Sequence, residues 1–338
     1  MSYLGSDKMK IDTKFIPQNV APKGAKEIAI YDSKGDKVGI VPLGRLSSNS
    51  LGDKLYSFGL VSDIHLTVDT ALDDYQRALT YLNEVEKVDF IHVNGDLGSI
   101  GSLSEFQKFK EYNDKYALNI PVHLACGNHD AQYGTVHNVL MTYTGNPLYH
   151  TFTKGDDIFI VFGVANWSSE VFTTEALQWL YELLEANRNK RCFVFQHIMR
   201  TDGCGNAHNK YPRNDLNNTA GQVFLSLMEH YKNVIWLHGH SHTKFNLQNM
   251  FSIANYDRLF GCQSVHVPSL SIPKDHNHEV VYEDSEGYVV EVYENGIYLR
   301  GRDFVGEKFL PIASYWLDTT PINIEANSYV DHTGTINI

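Results

Sequence analysis

Short apolar runs alternate with stretches of helical periodicity through the middle of the chain. Residues 55–60, 90–94 and 121–125 are apolar runs that predict buried strands. Apolar residues recur at helical spacing in residues 70–88 and 104–116, and Ser104 is expected to cap the second helix. This alternation predicts an α/β fold. Because polar residues follow each strand, we expect the functional site along the carboxyl edge of the sheet.

The same alternation continues in the second half of the chain. The predicted elements are a strand at 158–164, a helix at 174–187, a strand at 191–196, a helix at 221–231 and a strand at 234–237. Residues 132–149 and 200–221 are predicted loops, and the second is polar and rich in glycine and asparagine. A long loop beside a functional site is usually a lid or a substrate-binding element.

Both ends of the chain carry the pattern of a β-hairpin. Residues 27–46 alternate apolar and polar positions around a Ser-Lys-Gly-Asp turn, and residues 287–303 do so around Glu-Asn-Gly. The last stretch is polar with scattered aromatic residues, which is typical of an irregular or β-rich tail. The chain is therefore divided into an N-terminal β-addition at 1–54, a central domain at 55–310 and a C-terminal tail at 311–338.

Composition narrows the range of partners. The formal net charge is -12, whereas sequence-independent binding of nucleic acid needs clustered Lys and Arg, so the charge disfavours that partner. The polar amino terminus does not have the pattern of a signal peptide, and no apolar run reaches the roughly 20 residues of a membrane span. We therefore expect a cytoplasmic protein with no membrane partner. The four cysteines lie far apart without CxxC spacing and are predicted to be thiols.

Five short polar segments carry the candidate chemistry. In chain order they are Asp63-Ile64-His65, Gly95-Asp96, Gly127-Asn128-His129-Asp130, His197 and Gly239-His240-Ser241-His242. Taken singly, each histidine is most simply a half-buried histidine, and each aspartate a turn or helix cap. Together they supply the carboxylate, imidazole and amide ligands that hold divalent ions. Two close ions lower the pKa of water and neutralise a phosphoryl group, so the set predicts phosphoester hydrolysis.

These segments resemble, in their order and their placement at strand ends, those of the calcineurin-like metallophosphoesterases. The resemblance covers residues 56–268, roughly the middle two thirds of the chain. It implies a sandwich of two mixed β-sheets flanked by helices, here with small β-rich additions at both ends.

The resemblance also implies a role for each site residue. Seven ligands would be divided between two ions: Asp63, His65 and His242 for one, Asn128, His197 and His240 for the other, and Asp96 as the bridge. His129 would donate a proton to the leaving group or stabilise charge on the phosphate, and Asp130 would orient its imidazole. The ions are expected to be divalent or mixed-valence manganese, iron or zinc. A hydroxide that bridges them would attack phosphorus.

The residues themselves support two of these roles. Asp96 directly follows a glycine at a strand end, which suits a short carboxylate that must bridge two cations. His240 and His242 are two positions apart, so in an extended strand their side chains would point the same way. One imidazole can face each ion only if the chain turns locally, which Gly239 makes easier.

Details of the motifs distinguish among members of the superfamily. Leu66 and Asp130 stand where protein Ser/Thr phosphatases typically have glycine and glutamate, and His65 stands where purple acid phosphatases have glycine. GNHD and GHSH are more similar to the class III cyclic-nucleotide phosphodiesterases and related small-molecule phosphodiesterases. The function expected is therefore hydrolysis of a small phosphomonoester or phosphodiester, with a small phosphorylated molecule as the partner.

Other functions stay open at this point. A nuclease of the same superfamily would share these motifs. A catalytically weak interaction or assembly module would have lost ligands, and this chain has lost none. The β-rich ends would attach an enzyme to a larger assembly or a carbohydrate-bearing surface, or more simply cover sheet edges or pair two copies of the chain into a homo-oligomer.

Several residues outside the five segments also receive a prediction. Arg200 is a candidate phosphate clamp, and His208 could reach the substrate from its loop. The residues predicted to pack in the protein interior are His92, His123, His238, Trp167, Trp179 and Trp236.

Overall fold

A computed structural model describes most of the central part of the chain. The ranges described are 27–31, 37–42, 52–132, 136–167, 172–200, 203–205, 216, 218–245, 256–257, 262–275 and 277–319. His208 and most of the loop predicted at 200–221 lie outside these residues.

Strands and helices alternate through the described ranges. The strands are β1 Glu27–Tyr31, β2 Lys37–Pro42, β3 Lys54–Val61, β4 Phe90–Asn94, β5 Val122–Ala125, β6 Tyr149–Lys154, β7 Asp157–Phe162, β8 Cys192–Phe195, β9 Val234–His238, β10 Tyr256–Asp257, β11 Gln263–His266, β12 Glu286–Tyr293, β13 Gly296–Asp303 and β14 Lys308–Asp318. The α-helices are α1 Ala71–Thr80, α2 Leu103–Tyr112, α3 Val136–Thr144, α4 Thr174–Ala186 and α5 Thr219–His230. Helices α1 and α2 continue into π-helical turns at Tyr81–Glu86 and Asn113–Ala117.

Two six-stranded sheets contain the central strands. Sheet I has the order β14-β13-β12-β3-β4-β5, and sheet II has the order β10-β11-β9-β8-β7-β6. Strands β3, β4 and β5 are parallel, whereas β12, β13 and β14 join sheet I antiparallel. In sheet II the strands β7, β8, β9 and β11 are parallel, and β6 and β10 are antiparallel edge strands. The predicted α/β fold with two mixed sheets is confirmed.

The two sheets share an apolar layer, and the helices pack with a second one. Phe58 of sheet I contacts Phe159 and Phe193 of sheet II edge to face, with ring centroids 5.9 Å and 5.7 Å apart. Along β7 the alternate residues Ile158 and Ile160 belong instead to the apolar cluster that includes the helices. Both faces of the central strands are covered, which explains why these strands are continuous apolar runs in the sequence.

Most predicted elements are present, and the exceptions have local causes. Both predicted hairpins are confirmed, since β1 pairs with β2 and β12 with β13. Residues 132–149, predicted as a loop, contain α3, whose β-branched residues weaken its helical signal. Helix α2 is capped by Ser102 rather than Ser104. Residues 311–318 continue β14 in sheet I, so the predicted tail begins inside a strand.

Residues predicted to pack in the interior do so with one exception. His92 stacks on Phe195 with ring centroids 3.5 Å apart, and His123 stacks on Phe152 at 3.8 Å. Also within or against the core are His238, Trp179 and Trp236. Trp167 is the exception, because 36% of it is exposed.

The predicted thiols are confirmed, and the helices give one further finding. All four cysteines are buried, and none forms a disulfide. None of the helices in the described ranges has the length and apolar character that a membrane span needs.

Candidate metal centre

The five polar segments meet where central strands of both sheets end. Strands β3, β4 and β5 of sheet I and β8 and β9 of sheet II each lead into one segment. Backbone hydrogen bonds tie these segments together: Asp63 N donates to Gly95 O at 2.9 Å, and Gly239 N donates to His197 O at 2.9 Å. Sites built at the carboxyl ends of parallel strands follow from this topology.

Acidic and imidazole side chains form two adjoining groups. Asp63, His65, Asp96 and His242 offer ligand atoms that all lie within 4.8 Å of one another, and so do Asp96, His197 and His240. Asp96 belongs to both groups. This is the arrangement expected of a carboxylate that bridges two ions.

Asp63 has one oxygen held by the protein and one that faces the cluster. Oδ2 accepts hydrogen bonds from Ser62 Oγ at 2.6 Å and from the His240 backbone N at 3.1 Å. Oδ1 is buried without a hydrogen bond and lies 3.0 Å from His242 Nε2. The carboxylate is therefore oriented, and Oδ1 is left to bind a cation.

Asp96 is held in the same way. Oδ1 accepts a hydrogen bond from the His129 backbone N at 2.9 Å. Oδ2 is buried without a hydrogen bond, and it lies 3.1 Å from His197 Nε2 and 3.9 Å from His65 Nε2. This oxygen therefore stands between nitrogens of both groups.

His197 and Asn128 also have a buried side-chain atom without a hydrogen bond. His197 Nδ1 donates to Asn94 O at 2.8 Å, and its Nε2 is buried without a hydrogen bond. Asn128 Oδ1 is likewise buried without a partner. His65 Nε2 and His242 Nε2 lie 3.3 Å apart. Buried polar atoms are normally hydrogen-bonded, so the atoms without a hydrogen bond, Asp63 Oδ1, Asp96 Oδ2, Asn128 Oδ1 and His197 Nε2, fit divalent cations.

The electrostatics of the cluster keep two imidazoles neutral. Burial, assisted by neighbouring histidines, lowers the pKa of His65 and of His240 to about 3. For His197, burial also acts to lower the pKa, but Asp96 and Asp63 outweigh it and raise the pKa to about 10. A cation at this position would displace the His197 proton, since metal ligands must be deprotonated.

Five of the predicted ligands have a backbone conformation that is rare for residues with a side chain. Asp63, His65, Asp96, His240 and His242 have φ values of 52°, 50°, 48°, 72° and 59°. They make up five of the nine non-glycine residues with positive φ in the described ranges. Strain of this kind costs about 1–3 kcal/mol per residue and collects at functional sites. It also separates His240 from His242, so the local turn occurs at these residues themselves, not at Gly239.

His129 lies beside the ligands, and its ring is held by a backbone carbonyl. Nδ1 donates to Ser99 O at 2.7 Å, which leaves Nε2 as the second nitrogen, 4.0 Å from Asp96 Oδ2. The orienting role predicted for Asp130 therefore belongs to Ser99. Asp130 accepts instead from the backbone N of Gly98 at 3.0 Å and of Gly127 at 2.8 Å.

Asp130 thus joins the loop after β4 to the loop after β5. It is 1% exposed, and burial together with Asp96 raises its pKa to about 7. The Asp130 carboxyl therefore positions the backbone around Asp96 and Asn128. Its hydrogen bonds are to backbone N–H groups and not to the His129 imidazole.

The two predicted substrate contacts have different outcomes. Arg200 Nη1 lies 3.3 Å from Glu229 Oε1, and Arg200 lines a small cavity with Leu225, Trp236 and Cys262. None of these neighbours belongs to the two ligand groups. The phosphate-binding role of Arg200 therefore stays a prediction. His208 lies outside the described residues.

Several residues that shape the centre were not predicted from the sequence. Ser62 and Ser269 bind the carboxylate and the carbonyl of Asp63, and Asn94 and Ser99 supply carbonyls to His197 and His129. Any type of residue can supply a backbone carbonyl, so the residue types of Asn94 and Ser99 do not indicate these contacts. For Ser62, adjacency to Asp63 is the only signal in the sequence.

A family comparison agrees with this geometry. A sequence model of the calcineurin-like phosphoesterases matches residues 56–244, which is more than half of the chain. The matched span contains all seven predicted ligands together with His129 and Asp130. No curated protein has a sequence similar enough to match this chain.

Solved structures share the fold. A dimetal phosphatase from Danio rerio is 14% identical with a TM-score of 0.54, and the match covers 79% of this chain and 100% of that chain. A purple acid phosphatase from yellow lupin (Lupinus luteus) seeds is 14% identical with a TM-score of 0.57, and the match covers 80% of this chain and 54% of that chain. At this identity the likeness concerns the fold.

Proposed function

This chain belongs to the calcineurin-like phosphoesterase family, and on that premise we propose that it hydrolyses a small phosphomonoester or phosphodiester with two bound divalent metal ions. The observation that carries the proposal is the pair of ligand groups that share Asp96, in each of which carboxylate oxygens and imidazole nitrogens lie within 4.8 Å of one another. Carboxylate and imidazole donors gathered this closely, with Asn128 Oδ1 buried and without a hydrogen bond, suit divalent cations.

The chain's own residues would divide the binding of the ions. One ion would be held by Asp63, His65 and His242, the other by Asn128, His197 and His240, and both by Asp96. When bound, two such ions neutralise the charge of a phosphoryl group and lower the pKa of water, which supplies a hydroxide near neutral pH. The donor set of imidazole, carboxylate and amide suits manganese, iron or zinc.

His129 is proposed to act on the leaving group. Its Nδ1–H is committed to Ser99 O, so Nε2 is the atom that would carry a proton to the leaving oxygen or stabilise charge on the phosphate. The side chain is 32% exposed, unlike the ligands around it, so a substrate in solution can reach it.

The substrate is proposed to be small. The net charge of -12 gives no electrostatic support to a nucleic acid chain. The sequence motifs GNHD and GHSH favour a phosphodiesterase of the class III cyclic-nucleotide type or a related small-molecule enzyme. Nucleases of the superfamily share these motifs, so nucleic acid belongs among the substrates tested. A metal-poor assembly module is less well supported, because every ligand type is retained.

The proposal is tested by metal content and turnover measured on the same samples. Elemental analysis of protein loaded with manganese should find about two ions per chain, and nitrophenyl phosphate or its diester should be hydrolysed. Asp96→Asn should lose metal and turnover together, because it weakens the bridge. His129→Ala should keep its metal and lose about 10²–10⁴-fold in kcat, the usual contribution of a general acid.

His150→Ala is the matched control for the histidine substitution. His150 is half-buried, and its Nδ1 donates to Pro147 O at 2.8 Å, outside the ligand groups. Its turnover should equal that of the unmodified protein. Undiminished turnover in Asp96→Asn, or metal content well below one ion per chain after loading, would contradict the proposal.

A further inference from the structure

A row of aromatic rings leads from the metal centre to the protein surface. Neighbouring rings in the order His242, His65, His129 and Trp167 have centroids 5.0 Å, 4.9 Å and 4.7 Å apart. His242 and His65 are buried, at 6% and 4% exposed, whereas Trp167 at the other end of the row is 36% exposed. Trp167 is therefore the outermost ring, next to His129, the residue proposed to act on the leaving group.

The loop that carries Trp167 is tied to the site. It follows β7, and Val164 N donates to Cys126 O at 2.9 Å, which joins it to the segment that contains Asn128 and His129. The Trp167 ring is nearly perpendicular to the His129 ring, at 84°. The contact holds the indole beside the imidazole and still leaves more than a third of the residue open to solvent.

A second exposed apolar residue lies near His129. Ile100 is 38% exposed and directly follows Ser99, whose carbonyl binds His129 Nδ1. Trp167 and Ile100 lie in the loops after β7 and β4, which belong to different sheets. Two large apolar side chains therefore remain exposed in loops that contact His129.

We propose that Trp167 contacts the leaving group of the substrate and selects leaving groups that carry an aromatic ring. This inference rests on the proposed function, because it takes His129 as the residue next to the leaving oxygen. A ring attached to that oxygen would lie beyond His129, where the indole offers an apolar surface. Aromatic pairs prefer such contacts, and Trp is well suited to them because it gives a large, rigid surface.

The test compares two phosphonates that share the group bound by metal and differ in the presence of a ring. Phenylphosphonate and methylphosphonate are titrated calorimetrically into the protein loaded with manganese, and turnover of nitrophenyl phosphate is measured in parallel. Phenylphosphonate should bind about tenfold more tightly to the unmodified protein, which is the usual size of one aromatic contact. In Trp167→Ala this preference should fall to about twofold or less, with methylphosphonate binding unchanged.

Two further variants separate ring contact from other effects. Trp167→Phe should keep most of the preference, because it keeps a ring. Val85→Ala removes another exposed apolar side chain, 64% exposed in the π-helical turn before β4, and should keep all of it.

The outcomes distinguish this inference from the function on which it rests. An equal preference in Trp167→Ala and the unmodified protein, or no preference in either, would overturn the role of Trp167 even if nitrophenyl phosphate is hydrolysed. A ring preference that depends on Trp167 in a protein without turnover would support the contact and contradict the proposed hydrolysis.

Discussion

At the residue scale, the proposed ligands are oriented by small neighbours. Asp63 is fixed by Ser62 and by the His240 backbone, and Asp96 is fixed by the His129 backbone. These contacts need close approach of main chain and side chain. Gly239 permits one of them, because a Cβ there would overlap Ser62 Oγ and lie 2.5 Å from Asp63 Oδ2.

Gly239→Ala is therefore expected to weaken metal binding without removing a ligand. The added methyl group must displace Ser62 or Asp63, and loss of such orienting contacts typically costs about 10–100-fold in metal affinity. Calorimetric titration of manganese into the metal-free protein measures this loss. Gly155→Ala is the control: no atom lies within 4 Å of its Cβ position, and the strain that its positive φ of 59° causes acts on folding stability and not on a metal ligand. Equal affinities in the two variants would contradict the expectation.

Glu286 gives a prediction about pH. It is 2% exposed, its Oε2 accepts from Phe245 N at 2.9 Å, and burial raises its pKa to about 7. Between about pH 4.5 and 7 the folded protein keeps a proton that the unfolded chain has released. Stability should therefore fall as the pH rises through this window, by about 3 kcal/mol in total.

Glu286→Gln should remove that loss, because it keeps the acceptor and cannot ionise. Urea unfolding of the metal-free protein should give a variant that is about 2–3 kcal/mol more stable than the unmodified protein near pH 8. Near pH 5 the two proteins should differ by much less. A difference that does not change with pH would show that Glu286 does not titrate as inferred.

At the element scale, the hydrogen bonds at the start of α2 identify its N-cap residue. Ser102 N donates to Glu105 Oε2 at 2.7 Å, and Glu105 N donates to Ser102 Oγ at 3.4 Å, which together form a capping box. Ser104 lies inside the helix, two positions later. The sequence contains two serines near this end, and only the hydrogen bonds distinguish them.

Ser102→Ala is expected to lower the free energy of unfolding by about 1 kcal/mol, the usual cost of losing an N-cap. Ser104→Ala should change it by less than about 0.5 kcal/mol, because alanine is tolerated inside a helix. Urea unfolding of both variants provides the comparison. Equal losses, or a larger loss for Ser104→Ala, would identify Ser104 as the functional cap.

At the scale of the whole molecule, one buried ion pair joins the two sheets. Arg191, next to β8, donates to both oxygens of Asp157 on β7, at 3.0 Å and 2.6 Å. From sheet I, Tyr56 donates to the same carboxylate, and Tyr293 O accepts from Arg191 Nη1 at 2.9 Å. Each charge is therefore paired and hydrogen-bonded across the sandwich.

Arg191→Met should destabilise the protein by about 3–5 kcal/mol, since it leaves the Asp157 carboxylate buried and unpaired. Adding Asp157→Asn to that variant should restore part of the loss, because the remaining charge is removed. Arg188→Met breaks an exposed pair with Glu185 and should cost less than about 1 kcal/mol. Urea unfolding measures all three, and similar losses for Arg191→Met and Arg188→Met would contradict the role of the buried pair.

The sequence by itself determined the order of the central strands and helices, the positions of both hairpins and the aspartates and histidines that meet at the candidate metal centre. Periodicity and residue type are local properties, and buried strands with polar residues at their ends can be recognised without tertiary contacts. Helix α3 was not predicted, because its β-branched residues weaken the helical signal and because most helical stability in proteins comes from tertiary packing.

Only the tertiary structure decided which atoms of those residues are held and which face the centre. Ser99 orients His129 in place of Asp130, Arg200 contacts Glu229, and Trp167 is exposed beside His129 instead of packing in the core. Each of these facts depends on contacts between residues 29 to 38 positions apart in the chain. Such contacts arise when whole elements pack, so no local pattern in the sequence records them.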